Sequence, residues 1–312
     1  MKPRQNLPIP VILAVVVVFA GIAYPVTGAA LRHTTPALVA TVRALGGVGL
    51  LIALLPALGG RLPRSRSLWI WAAVIGFGNT TLTLLGISEG TAQAGAAVAS
   101  VLLNSSPFFV ALLARIALGE RVTALRGAGL VVGFAGVLLV VLSKPGDVGG
   151  GWSLAIGLAL SLLGALGWAY SGLAMRALTL RGETFELYGM TAAQFLCGGV
   201  MLLPACFLVG DPAASDWSSS GLWLALAFLV IVGQVVVYVG FNAALGRWPS
   251  SRVYAATFLV PAIAVLVEAV QGDLPGRAAT LGMTVAIIGV AIVNHPRAEA
   301  ARAAEQSPPP GR

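Results

Sequence analysis

The chain has 312 residues, of which 58% are hydrophobic and only 10% carry a charge. A typical soluble domain is about half apolar and about a quarter charged, so this composition excludes an ordinary water-soluble protein. The 19 Lys and Arg residues exceed the 11 Asp and Glu residues, which gives a formal net charge of +8. In a soluble protein such an excess would suggest a nucleic-acid or other acidic partner. Here its meaning depends on where the basic residues lie.

Stretches of high hydropathy, bounded by charges, Pro or Gly, predict ten membrane-spanning helices. They cover residues 7–31, 37–58, 68–87, 92–118, 124–142, 152–175, 187–209, 221–245, 253–270 and 278–293. A bilayer offers no water to unpaired backbone groups, so we predict an all-α integral membrane protein. The first apolar run is longer than a usual signal core, so it is expected to remain as an uncleaved helix after residues 1–6. Residues 295–312 are polar and Pro-rich, which predicts a disordered tail.

The basic residues predict the orientation in the membrane. If the N-terminus is cytoplasmic, 15 of the 19 Lys and Arg residues fall on the cytoplasmic side. Arg32, Lys144 and Arg277 fall on the other side, and Arg43 lies inside the second span. This is the positive-inside pattern of a multi-pass protein of the cell inner membrane with both termini in the cytoplasm. The excess charge therefore sets topology, and we expect no nucleic-acid partner.

The two halves of the sequence match each other. Residues 129–137 parallel residues 282–290 at an offset of 153, and Pro107 parallels Pro261 at an offset of 154. A proline inside a helix removes a backbone hydrogen bond, so the two prolines predict kinks at matching places. Five predicted spans per half, an odd number, invert the second half relative to the first, as in transporters with a substrate site between their repeats. The predicted repeats are residues 7–143 and residues 151–294.

Each half also carries the same series of features: a helix rich in small residues, a mid-helix proline, an acidic residue after a glycine, and a glycine-rich last helix. They are residues 94–97, Pro107, Glu120 and residues 129–136 in the first half, and residues 255–256, Pro261, Asp273 and residues 282–289 in the second. Over nearly all of residues 7–294 this series resembles the EamA-type family of the drug/metabolite transporter superfamily. The resemblance implies ten helices around a central cavity and export of amino acids, other small metabolites or drugs.

Polar side chains inside spans are costly and are functional candidates. Tyr24 and Arg43 both lie about 10 Å below the predicted outer surface, and we expect them to line the outer vestibule or gate. Tyr170 and Gln194 occupy corresponding places near the inner surface and are expected at the inner gate. Arg43 could instead extend to the surface or bond helix-end carbonyls as a structural tie.

A further group of polar and aromatic residues is predicted near the membrane midplane, where it would line a substrate cavity. These residues are Asn79, Ser100, Asn104, Trp168, Gln234, Tyr238, Tyr254 and Phe258. Such a lining offers neutral hydrogen bonds and aromatic surface to small amphipathic solutes. Asn104 and Gln234 could equally hold helices together.

The carboxylates bear on energy coupling. Glu89 and Glu120 are predicted at turns, and Glu268 is the only acid predicted inside a span, two residues before its outer end. That shallow depth favours a hydrated interfacial acid over a buried proton site.

The sequence contains no phosphate-binding loop, paired-acid metal motif or nucleophile elbow, so we expect no catalytic residue, no metal, no cofactor and no enzyme activity. We predict a secondary transporter that works by alternating access, with a small-molecule substrate and the lipid bilayer as its partners. Export of amino acids or related small metabolites is favoured. The alternatives are an exporter of hydrophobic drugs and a non-transporting membrane scaffold, and the sequence leaves the oligomeric state open.

Overall fold

The computed structural model describes residues 7–118, 123–142, 152–248, 250–270 and 277–293. The α-helices in these residues are α1 (Ile9–Ala30), α2 (Pro36–Leu58), α3 (Arg66–Gly76), α4 (Thr83–Leu103), α5 (Ser106–Leu118), α6 (Ala124–Leu142), α7 (Trp152–Leu180), α8 (Leu187–Leu208), α9 (Ser220–Phe228), α10 (Val237–Leu245), α11 (Ser250–Ala255), α12 (Val260–Val270) and α13 (Arg277–Val293). Two π-helical segments, Phe77–Leu82 and Leu229–Val236, continue α3 into α4 and α9 into α10. Short 3-10 turns cover Pro212–Ala214 and Ala256–Leu259.

The predicted all-helical class is confirmed for these residues, which contain no strand. Six continuous helices are long and apolar enough to cross a membrane; they are Ile9–Ala30, Pro36–Leu58, Arg66–Ala96, Trp152–Leu180, Leu187–Leu208 and Ser220–Leu245. The other predicted spans coincide with shorter apolar helical stretches, which leaves the number ten a prediction. The predicted terminal segments, residues 1–6 and 295–312, and Glu120 lie outside the described residues.

The predicted turn between the third and fourth spans is wrong. Residues 88–91 are helical, and the break comes at Gly95, whose backbone has φ 82° and ψ 156°. A glycine adopts this positive φ without the steric cost that a side chain would add. Glu89 therefore lies in a helix and is half-buried, not at a turn. Glu268 lies in α12, two residues before the helix ends at Val270; its side chain is outside the described part.

Both predicted proline positions follow an interruption of the helix. α4 ends at Leu103, and α5 begins one residue before Pro107. In the second half, α11 gives way to the 3-10 turn Ala256–Leu259, and α12 begins one residue before Pro261. A proline in the first helical turn costs no hydrogen bond, because the amide groups there have no partner within the helix. The two spans are thus broken at equivalent places.

The first π segment is packed tightly against two neighbouring helices. A π turn is wider than an α turn, and the carbonyls around it accept hydrogen bonds from other helices. The Tyr170 hydroxyl donates to the Val74 carbonyl at 2.8 Å, and the Ser171 hydroxyl donates to the Ile75 carbonyl at 2.9 Å. These contacts fix α3 and the π segment on α7.

Two pairs of helices from the two halves of the chain pack closely on each other. α2 lies against α8, and α6 lies against α13. At the second crossing a Cβ added to Gly289 would come 2.3 Å from the Cα of Gly133 and 2.8 Å from the carbonyl oxygen of Gly129. Glycine spacing of this kind lets two membrane helices approach to backbone contact.

Candidate functional site

A cavity of about 70 Å³ lies between the halves of the chain. The first half contributes α1, α2, α4 and the turn after α4, and the second half contributes α7, α10, α12, the second π segment and the 3-10 turn at Thr257. Five of the predicted site residues line it, namely Tyr24, Arg43, Asn104, Trp168 and Tyr238. The remaining lining is mostly aliphatic or aromatic, with Thr83 and Thr257 as further polar residues.

Arg43 is the one charged residue in the cavity lining. Its side chain is 1% exposed, although it carries a positive charge within an apolar helix. Its Nη2 donates to the Gly233 carbonyl of the second π segment at 3.4 Å. Nε and Nη1 have no hydrogen-bond partner among the described residues. Tyr24 and Tyr238 lie close enough to interact electrostatically with the guanidinium.

An aromatic cluster closes one side of the cavity. The Trp168 ring lies 4.9 Å from that of Tyr238 and 4.6 Å from that of Phe241, measured between ring centroids. Tyr254 packs edge-on against Phe241 at 5.0 Å, and its hydroxyl donates to the Trp168 carbonyl. Since α7, α10 and α11 all belong to the second half, this cluster is a surface that the second half presents to the cavity. Tyr254 supports the cluster and does not itself line the cavity.

Gln194 belongs to a buried polar network beside the cavity. Its Oε1 accepts from Asn79 Nδ2 at 2.9 Å and from Asn242 Nδ2 at 3.4 Å. Asn242 Nδ2 also donates to Thr191 Oγ1 at 3.1 Å, and Thr80 Oγ1 donates to Asn79 Oδ1 at 2.8 Å. The network ties the first π segment to α8 and α10, so Asn79 and Gln194 hold helices together at this place.

The other predicted site residues are not among those that line the cavity. The Tyr170 hydroxyl bonds the Val74 carbonyl of α3, and its pairing with Gln194 at an inner gate stays a prediction. Ser100 is buried on α4, and its carbonyl accepts from the Asn104 amide. Phe258 packs on Phe108, with ring centroids 6.2 Å apart. Gln234 is fully buried and makes no side-chain hydrogen bond to a described residue.

Some cavity residues were missed from the sequence. Phe241 and Val237 are apolar residues in an apolar helix, so nothing in the sequence distinguishes them from lipid-facing neighbours. Asn242 had a detectable signal, because Gln234, Tyr238 and Asn242 recur at four-residue intervals on one helix face.

The turns at one end of the bundle also touch. His33 Nδ1 lies 3.5 Å from Asp216 Oδ2, and the hydroxyls of Thr34 and Ser215 are 2.7 Å apart. The hydrogen bond that Ser218 donates to Asp216 is the largest cause that lowers the pKa of this exposed carboxyl, and His33 adds to the effect. These contacts join the α1–α2 turn to the loop between α8 and α9.

The sequence profile of the EamA-like transporter family matches residues 8–142 and, a second time, residues 155–295. The chain belongs to the EamA-like transporter family. It is thus a multi-pass membrane protein and a membrane transporter of that family. The two matches divide this EamA-like chain close to the predicted boundary between its halves.

Several curated proteins resemble this EamA-like transporter along nearly their whole length. The uncharacterised transporter YvbV of Bacillus subtilis is 28% identical over 300 residues, which is 94% of each chain. The uncharacterised inner membrane transporter YedA of Escherichia coli is 26% identical and covers 94% of this chain and 92% of its own. A probable terminal-alkyne amino-acid exporter of Streptantibioticus cattleyicolor is 29% identical and covers 87% and 84%.

A solved crystal structure shares the fold. Its TM-score is 0.72 at 18% sequence identity, and the match covers 95% of this chain and 98% of the solved one. At that identity the likeness shows the fold alone and nothing about the cargo.

Proposed function

We propose that the chain is a secondary transporter that works by alternating access and exports amino acids or related small metabolites. The observation that carries this proposal is the cavity shared by the two halves, with polar, charged and aromatic residues in its lining. Transporters built from inverted repeats hold their substrate at the repeat interface and move one repeat against the other. The cavity therefore lies where a solute would be exposed to each side in turn.

An inverted repeat is supported by several features of the two halves. The family profile matches twice, and the π segments and the proline breaks recur in both halves. Gly78 and Asn79 in the first π segment parallel Gly233 and Gln234 in the second. The pairing of α2 with α8 and of α6 with α13 is the contact pattern that a pseudo-two-fold axis would produce.

The proposed setting is the inner membrane with both termini in the cytoplasm. The support is the placement of 15 of 19 basic residues at one set of helix ends. YedA is described as an inner membrane transporter, which agrees with this setting.

The cavity favours a small polar cargo over a hydrophobic drug. A wholly apolar solute beside Arg43 would leave a buried cation unpaired, which is unfavourable. The similarity to a probable terminal-alkyne amino-acid exporter agrees with a cargo of the amino-acid class.

Counterflow in proteoliposomes tests the proposal. Vesicles are loaded with one of a panel of amino acids, organic acids, amines or hydrophobic cations, and uptake of the same labelled compound is followed. We expect transient accumulation of at least one amino acid or small metabolite and none in protein-free vesicles. Accumulation of hydrophobic cations alone would support a drug exporter, and no counterflow with any class would support a non-transporting scaffold.

A further inference from the structure

The guanidinium of Arg43 has donors that the protein leaves unused. It is buried, it lines the cavity, and one long hydrogen bond to the Gly233 carbonyl is its contact with a described acceptor. Nε and Nη1 remain without a partner in the described part of the chain. A buried arginine normally has its charge paired and its donors satisfied, because an unsatisfied charged group is costly.

The described residues around Arg43 supply no negative charge. Those that line the cavity include no Asp or Glu, and the ion pair between described residues, His33 with Asp216, involves the turns at the end of the bundle. The side chains that interact electrostatically with Arg43 are the phenols of Tyr24 and Tyr238, which are neutral near pH 7. The cavity is therefore built with a cation and without its counter-ion.

We propose that Arg43 is the receptor for a carboxylate group of the substrate, so that the cargo is a small carboxylate-bearing molecule. This inference rests on the proposed transport function and adds the chemical class of the solute. Planar guanidinium donors match the geometry of a carboxylate. The single cation in the described lining matches the one charge of a carboxylate better than the two charges of a phosphate dianion.

The rest of the cavity fits the remainder of such a molecule. Tyr24 and Asn104 offer neutral hydrogen-bonding groups beside Arg43. Trp168 and Phe241 present ring surface on another side of the same space. A short apolar side chain placed against these rings would leave the carboxylate at Arg43.

The proposal is tested on the purified full-length chain with matched probes that differ only in the carboxylate. Thermal unfolding is followed while valine, valinamide, isovalerate or isovaleramide is titrated into the sample. A ligand that binds only the folded state stabilises it by RT ln(1 + L/Kd), where L is the free ligand concentration, so the unfolding midpoint rises with ligand concentration and the concentration needed reports the affinity. We expect the acids to act at concentrations at least tenfold lower than their amides.

Two substitutions of Arg43 and one control substitution complete the test. Arg43→Gln is expected to abolish the advantage of acid over amide, and Arg43→Lys to keep part of it. Arg181→Gln, which removes an equal charge from an exposed position over the Trp71 ring, is expected to behave as the wild type.

The inference is overturned if amides stabilise the wild-type protein as well as acids do, or if no carboxylate stabilises it. Because this comparison uses the wild type, it stands even if Arg43→Gln fails to fold. The result also separates the two proposals. If carboxylates bind in a way that depends on Arg43 but the protein shows no counterflow, the proposed transport function is wrong and the role of Arg43 as a carboxylate receptor stands. If amides and acids show equally fast counterflow, the transport function stands and the role of Arg43 as a carboxylate receptor is wrong.

Discussion

Replacing Gln194 by Leu is expected to destabilise the fold without weakening solute binding. Gln194 is fully buried and lies in the amide network beside the cavity. The substitution keeps a side chain of similar size and removes the acceptor that Asn79 Nδ2 uses at 2.9 Å. Asn242 keeps its bond to Thr191, and its 3.4 Å contact with Gln194 is long enough to count for little.

The magnitude follows from the one donor that loses its partner. An unsatisfied buried donor costs about 1–3 kcal/mol in soluble proteins, whereas hydrogen bonds inside membrane proteins measure about 0.6 and at most about 1.7 kcal/mol. We therefore expect a loss of about 1–1.5 kcal/mol in the free energy of unfolding.

Unfolding by SDS in mixed micelles, followed by tryptophan fluorescence, measures this loss. A double-mutant cycle with Asn79→Leu isolates the interaction, because the second substitution removes the orphaned donor. Thr284→Val is the control, since this exposed hydroxyl bonds a carbonyl of its own helix. A change below about 0.5 kcal/mol, or strictly additive effects of the two substitutions, would contradict the network. Weaker solute binding by the Gln194→Leu protein would instead indicate that Gln194 contributes to the substrate site.

Two other substitutions test helix packing and the loop contact. Gly289→Ala places a Cβ against the backbone of Gly133 and is expected to lower the free energy of unfolding by about 1–3 kcal/mol. Gly49→Ala is the control, because Gly49 has open space around it. In thermal unfolding it is expected to be neutral or slightly stabilising. The pKa of the Asp216 carboxyl is lowered in the folded state. The ionised carboxylate therefore stabilises the fold at pH values above the ordinary pKa of Asp, and this stabilisation is lost as the pH falls through the lowered pKa. Between about pH 5 and pH 2 the wild-type unfolding midpoint should therefore fall more than that of Asp216→Asn, and equal slopes would refute the assignment.

The all-helical class and six long apolar helices could be predicted because hydropathy depends on composition and the helix ends carry charges or prolines. The predicted turn at residues 88–91 was wrong. Ser88, Glu89 and Gly90 are polar or small and therefore resemble a turn, yet the helix continues to Gly95. The π segments could not be predicted, since they depend on how neighbouring helices bond the widened turns. Their position in both halves became visible only with the backbone.

The candidate site was predicted in part for a similar reason. Arg43 contrasts sharply with its apolar surroundings, so its position inside a span could be predicted from its charge. Whether it was buried or extended to the surface could not. Which face of a helix meets the cavity depends on the partner helices. Gln194 and Gln234 therefore could not be separated from Asn104 and Tyr238 before the packing was known, and Phe241 gave no contrast at all.

The central claim is that solutes pass through the cavity between the halves, and blocking that cavity tests it most directly. Val237 lines the cavity, whereas Val131 lies on an exposed face of α6. Counterflow of a labelled amino acid is measured in proteoliposomes that contain equal amounts of wild type, Val237→Phe or Val131→Phe. Val237→Phe is expected to lose most of the counterflow, while Val131→Phe is expected to match the wild type. Unchanged counterflow by a folded Val237→Phe protein would contradict the central claim.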